Sequence, residues 1–347
     1  MQDRAAEGPP RIWLLVGEKP GDNAQVRVIA DALGLPVEER RVAMQAPWVR
    51  GKPRVRASLE HIDAQRSDRL EPPWPDLLIT IGRRLSMVAL WVREQSRGRT
   101  RLVLVGKPRR LARRFDLIVA SAQYRVAPHG NVLQLGLPLM RVDPAAVAAA
   151  AEAWHARLAG LARPLTAVLV GGPTKPVRFD AGVARELAAQ LAALVAEAGG
   201  SLYVTTSRRT PAEVADALAA ALPHGTPLYR WAPGATENPH LALLGLADRF
   251  VVTSDSVTMM VEVARLGRPL AIFLLPARGR FWRALGRGRD LDAVPRLLIQ
   301  QGIAVRLGAP FHAPRVAPPD ELPRVVARIR ALVDPCGAGT DAPRAAV

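Results

Sequence analysis

The 347-residue chain contains one cysteine, Cys336. A single thiol excludes an intrachain disulfide framework and a cysteine-built zinc site. The six histidines are scattered, with no HxxxH pair or other ligand spacing, so nothing points to a resident metal. Lysine is almost missing. Only Lys19, Lys52, Lys107 and Lys175 occur, and the other 44 of the 48 basic residues are arginine. Aromatic residues make up 5%. No apolar run approaches the roughly 18 residues of a membrane-spanning helix, and the opening MQDRAAEGPP lacks the apolar core of a signal peptide. The expectation is a cytoplasmic protein that meets a membrane only from the side, as a peripheral protein of the inner membrane.

What is present fits a folded chain of two-domain size. Hydrophobic residues are 49% and charged residues 23%, the balance of an ordinary globular protein. With 31 acidic residues the net charge is +17. That sign favours anionic partners. The preference for arginine, beside abundant alanine, also fits the codon bias of a GC-rich genome.

Short apolar runs alternate with Ala/Leu-rich helical stretches. Strands are expected at 12–16, 76–81, 101–105 and 117–120, with helices over 23–33 and 84–95. After an Ala-rich helix at 143–162 the pattern restarts. Strands at 165–170, 201–205, 249–253 and 270–275 follow, with an edge strand at 228–231 and helices between them. Strands that are apolar throughout are buried on both faces, which means parallel sheets covered by helices. The fold class is therefore α/β, with two doubly wound Rossmann-like domains facing a cleft. The first covers 10–142 and the second 143–318, and a terminal helix at 319–333 is placed to pack back on the first.

Five loops carry the chemistry. Gly17-Glu-Lys-Pro-Gly-Asp-Asn23 joins the first strand to the first helix, and its Gly17, Lys19, Gly21 and Asn23 suit close approach of an anion. Gly82 and Arg83 follow the second strand in the same way. This first-domain set is the acceptor or anion side, with Glu18 and Asp22 the candidates for a general base. The loop is neither GxGxxG nor a Walker A sequence, and an ordinary tight turn capped by Asp22 or Asn23 is the plainer reading. In the second domain, Gly171, Gly172, Thr174 and Lys175 end its first strand, and Thr206, Ser207, Arg208 and Arg209 end the next. Arginines at a strand end fit a diphosphate. The fifth loop, Ser254-Asp-Ser256, opens a helix carrying Met259 and Glu262 and closed by Gly267-Arg-Pro269. A carboxylate so placed accepts both ribose hydroxyls while the helix N-terminus faces phosphates. Asp290-Leu-Asp292 is formally a DxD, but it lies in a basic loop and reads as a solvated turn.

The run Asn238-Pro239, Leu246-Ala-Asp248, Val252-Thr-Ser-Asp-Ser-Val257, Met260, Glu262 and Gly267-Arg-Pro269, with the Gly17–Gln25 and Gly171–Lys175 loops, resembles the Elongated Mitochondria-type mitochondrial-fission family. The likeness spans most of residues 11–315 and keeps the motifs in order. His240 stands where an aromatic is expected after Asn238-Pro239. More distantly, Gly171-Gly172 and Glu262 with Gly267-x-Pro269 resemble the peptidoglycan N-acetylglucosaminyltransferase, whose equivalent carboxylate holds the ribose of UDP. The resemblance implies a GT-B fold and a nucleotide-diphosphate sugar used without a resident metal or cofactor. On that reading Lys175, Arg208, Arg209 and the N–H groups after Ser254 stabilise the departing diphosphate.

Charge hints at an acceptor. Residues 83–114 hold eleven basic residues and one acid, Glu94, interleaved with Leu85, Met87, Leu90 and Trp91. A second patch at 279–289 mixes arginine with Phe281, Trp282 and Leu285. Such mixtures suit an anionic membrane and a lipid-linked or envelope acceptor. Nucleic acid is disfavoured because no binding motif is present. The expected function is a metal-independent glycosyltransferase. A sugar-nucleotide epimerase of the same fold and a non-catalytic adaptor of the fission type stand as alternatives.

Overall fold

Strands with unbroken apolar sequence have no face to offer water, and here they lie inside. Every residue of β1 (Ile12–Val16), β3 (Leu77–Ile81) and β5 (Leu117–Ser121) is buried. The computed structural model describes residues 9–51, 53–108, 111–174, 177–278 and 290–333. Lys175, Arg109, Arg110, Cys336 and the arginine/aromatic patch at 279–289 lie outside the described residues.

The first unit continues through α1 (Pro20–Leu33), β2 (Val37–Arg41), α2 (Ala46–Arg50), α3 (Gly82–Gln95), β4 (Arg101–Val105) and β6 (Val132–Leu135). Its six strands are parallel, in the order β2-β1-β3-β4-β5-β6, with Ile12 opposite Leu77. The second unit contains α4 (Pro144–Leu158), β7 (Leu165–Val170), α5 (Ala181–Ala198), β8 (Ser201–Thr206), α6 (Ala212–Ala221) and β9 (Leu228–Tyr229). It goes on through α7 (His240–Leu246), β10 (Arg249–Thr253), α8 (Val257–Arg265), β11 (Leu270–Phe273), α9 (Ala293–Gln300) and β12 (Val305–Arg306). These strands are parallel too, ordered β12-β11-β10-β7-β8-β9. Residues from β7, α5, β8, β10 and β11 form its core.

The chain divides at Leu135/Gly136, ahead of the 142/143 junction expected from composition, and returns to the first unit at Asp320. That return is α10 (Leu322–Val333), which buries Leu322, Val325 and Ile329 and packs on α1, β4 and β5. Arg330 fastens it by donating to the Leu33 carbonyl at 2.9 Å.

Several features escaped the apolar pattern, β2 and the start of α1 among them. β2 reads Val-Glu-Glu-Arg-Arg, and an edge strand needs no apolar run. It is held by its parallel ladder to β1, and Arg27 of α1 ties it further by reaching Glu39 at 2.8 Å. Helix α1 begins at Pro20, not Asn23, because a proline at the first helical position gives up no hydrogen bond. Gly21, Asp22 and Asn23 therefore belong to its first turn.

Candidate nucleotide-binding site

Each sheet reverses its direction of growth once, between β1 and β3 in the first unit and between β7 and β10 in the second. Ligands of doubly wound sheets lie beyond the strand ends at such a switch point. The Gly17 loop, Gly82-Arg83, Gly171–Thr174 and Ser254–Ser256 follow these four strands, and the Thr206–Thr210 loop follows the neighbouring β8.

In the second unit the loops are tied through one carboxylate. Asp255, whose side chain is 0% exposed, accepts from Gly172 N at 2.8 Å and from Thr253 Oγ1 at 2.7 Å, and pairs with Arg209 Nη2 at 2.9 Å. Gly171 N donates to Thr253 Oγ1 at 2.8 Å, the Thr210 hydroxyl donates to Gly171 O, and Arg209 Nη1 donates to Gly172 O at 3.3 Å. Burial pushes the Asp255 carboxyl up, against the opposing pull of Arg209, the Gly172 N–H and the Thr253 hydroxyl. Both glycines are obligatory. A Cβ on Gly171 would lie 2.2 Å from Asp255 Oδ2, and one on Gly172 would lie 2.0 Å from Arg209 O. Asp255 and Arg209 read as ligand contacts in the sequence. In the structure they hold the loop in shape, since a buried carboxylate persists only with donors around it.

Because Asp255 turns toward the glycines, it does not cap α8. Ser256 occupies the N-cap position without a side-chain hydrogen bond, and Ser254 Oγ accepts from Leu275 N at 3.0 Å. Among the described residues no side chain caps the first-turn N–H groups of α8, which form the positive end of the helix dipole. Thr174 Oγ1, at the end of the β7 loop, is buried with no hydrogen-bond partner among the described residues. Met259 is half-buried within α8. Further along, Glu262 Oε2 lies 3.0 Å from His240 Nε2, both side chains about one-fifth exposed, at 19% and 22%. Asn238 Oδ1 accepts from His240 N at 3.0 Å and so starts α7. Thr206 Oγ1 accepts from Trp231 N at 2.8 Å, and Ser207 N donates to Thr210 Oγ1 at 2.9 Å. Both were expected at a ligand and both are engaged in the loop's own frame. Arg208, like its neighbour Arg209, is exposed at this strand end.

In the first unit Asn23 clamps the turn. Its Oδ1 accepts from Gly17 N at 3.1 Å and its Nδ2 donates to Gly17 O at 2.6 Å. Glu18 braces the segment after β2, accepting from Met44 N at 3.4 Å and pairing with Arg66 at 3.3 Å. Asp22 is different. It is 43% exposed, 3.8 Å from Lys19 Nζ, with Oδ2 4.0 Å from where a Gly82 side chain would begin. Gly82 has φ +77, which lets β3 pass directly into α3. Arg83 donates to Pro53 O at 2.6 Å. Among the described residues no group of three or more His, Cys, Asp and Glu is placed to hold a metal ion.

The family described as Mitochondrial fission ELM1 matches residues 20–332. The chain belongs to that family. Mitochondrial fission protein ELM1 of Arabidopsis thaliana is 29% identical over 224 residues, 58% of this chain. The match spans about half of the plant protein's length, 52%. Uncharacterized protein RP120 of Rickettsia prowazekii (strain Madrid E) is 23% identical over 299 residues, 76% of this chain and 83% of that one. Among solved structures, S. aureus MnaA with UDP superposes with a TM-score of 0.54 at 12% identity, over 96% of this chain and 99% of that one. UDP-GlcNAc 2-epimerase from Methanocaldococcus jannaschii gives 0.50 at 10% identity, over 92% and 99%. The ELM1-family chain thus has the GT-B class of fold, α/β with two doubly wound Rossmann-like units.

Within this ELM1-family frame, sequence reasoning located the loops but not the bonds inside them. Thr253 and Thr210 were missed, although each sits one or two residues from a residue that was singled out. His240 was noted only as a departure, and its partner Glu262 gives it a place in the site. The basic segment 83–114 is folded inward in part. Arg84 donates to Val49 O and Gly51 O, Arg93 to Thr100 O and Arg114 O, Arg101 pairs with Asp116, and Arg114 pairs with Glu94. No helix among the described residues is long and apolar enough to cross a membrane.

Proposed function

We propose that this protein binds a nucleotide-diphosphate sugar in its second unit and transfers the sugar to an anionic, lipid-linked or envelope acceptor. The observation that carries the reading is the uncapped start of α8 at the β7/β10 switch point, beside a glycine pair that admits no side chain. The diphosphate meets the first-turn N–H groups of α8, with Arg208 as an exposed cation. The ribose hydroxyls meet Glu262, of which one oxygen is held by His240 and the other has no partner among the described residues. The departing diphosphate is stabilised by helix dipole and guanidinium, which calls for no resident metal or cofactor. The fold likeness to the Methanocaldococcus jannaschii structure described as a UDP-GlcNAc 2-epimerase supports sugar-nucleotide epimerisation as the second reading.

A thermal-shift screen of nucleoside diphosphates and their sugars tests this. One of them is expected to raise the melting temperature by a few degrees at about a hundredfold excess over its dissociation constant. Glu262→Ala is expected to weaken that ligand about tenfold or more. No shift with any of them would remove both enzymatic readings and leave the adaptor. NMR of the sugar product, with and without membrane extract, separates transfer from epimerisation.

A further inference from the structure

The first unit carries a cavity of about 370 Å³ that the site described above does not use. It opens at the carboxyl ends of β4 and β5, on the side of the sheet where loops meet ligands. Lys107, Arg113, Arg114, Arg125 and His129 line it, with no carboxylate among the described lining residues. Apolar side chains, Leu111 and Val126 among them, complete the wall.

The walls are braced rather than loose. Gly106, at φ +101, packs against the Tyr124 ring and donates to Val119 O at 2.8 Å, which fixes the turn into Lys107. Asn131 Nδ2 donates to Ala112 O at 2.8 Å and to Phe115 O at 2.7 Å, so the segment after β5 grips the segment after β4. Arg93 holds Arg114 O at 2.7 Å, and Arg328 of α10 holds Gly130 O at 3.0 Å. The backbone that carries these cationic residues is thus held at the cavity by bonds that do not depend on their side chains. Glu94 pairs with Arg114 at 2.7 Å, but among the described residues Arg113 makes no ion pair. The volume falls within the range of small-molecule sites.

We propose that this cavity is a binding site for a phosphate or diphosphate group. Guanidinium forks match phosphate oxygens two at a time, and the apolar wall leaves room for a carbon chain attached to the phosphate. The inference does not rest on the reading of the second unit, and either can fail alone.

The test is calorimetric titration of the full chain at low salt with two probes, inorganic pyrophosphate and geranyl diphosphate. Saturable binding is expected, weakened about tenfold or more by Arg113→Glu and by Arg125→Glu. Arg185→Glu, an exposed arginine on α5, removes the same charge outside the cavity and is expected to leave affinity within about twofold. Arg113 and Arg125 are both exposed, and circular dichroism melts check that each variant folds. Equal affinity for the two probes assigns the site to a free anion, and tighter geranyl diphosphate assigns it to a lipid-borne one. Absence of saturable binding, or equal loss in Arg185→Glu, would overturn the proposal. UDP titrated into the same variants reports on the second unit separately.

Discussion

His61 is a residue whose chemistry is decided by its surroundings. It is fully buried in the first unit, with Nε2 2.9 Å from the Arg84 carbonyl. A carbonyl only accepts, so Nε2 carries the hydrogen, and Nδ1 is left buried with no partner among the described residues. Burial holds the ring below its ordinary pKa of 6.5, against a smaller upward pull from the Arg84 carbonyl. The unfolded chain therefore takes up a proton that the folded chain refuses. Stability contributed by neutral His61 is complete above pH 6.5 and is lost as pH falls from there toward the depressed folded value. Urea titrations between pH 7 and about pH 5 are expected to show this loss, at most about 1.4 kcal/mol per pH unit. In His61→Gln, which keeps a donor to Arg84 O, that component is expected to disappear. An unchanged slope would remove His61 as its source. Nothing in the sequence around His61 announced this, because burial of a polar side chain under a long loop leaves no periodicity. The same applies to Asp255. Its position in a hydroxyl-rich turn was legible, but whether it faces a ligand or Gly172 depends on a hydrogen bond across 83 residues of sequence.

At the scale of elements, legibility followed burial. β1, β3, β7 and β10 were read from sequence because both faces are covered, which demands apolar residues throughout. β2, β6 and the two-residue β12 were not, because strands at the edge of a sheet are stabilised by pairing and charge. α10 was placed correctly as a helix, and its role is carried by three buried side chains on one face. Ile329→Ala is expected to destabilise the first unit by about 2–5 kcal/mol. In urea that unit's unfolding should move to lower concentration while the second unit's stays in place. Coincident shifts of both, or no shift, would count against α10 as a cover for the first unit alone.

For the whole molecule, the net charge of +17 has acquired a distribution. Several arginines of the 83–114 segment turn to backbone carbonyls or carboxylates and contribute to folding. Others, Arg113 among them, gather around a cavity. The division of the chain into two α/β units was readable because the strand–helix pattern restarts. The exact junction was not, because composition changes at the Ala-rich helix after Asp143, whereas the division falls at Leu135/Gly136. If the remaining charge meets an anionic membrane, the protein is expected to sediment with anionic vesicles at low salt. Neutral vesicles should leave it in solution, and about 1 M salt, where the Debye length is near 3 Å, should release it from anionic ones. Equal pelleting with both kinds of vesicle, or with neither, would end the membrane reading.

The return of α10 to the first unit has a consequence for biosynthesis. The strands of that unit are complete once Leu135 has left the ribosome, yet its last helix waits until all of Gly136–Pro319 has been made. At ordinary elongation rates this is roughly ten to forty seconds. Throughout that interval the surface destined for Leu322, Val325 and Ile329 is open to water, to chaperones and to other nascent chains. The second unit, continuous in sequence, is free to finish folding first. The unit that begins first is thus the one that ends last.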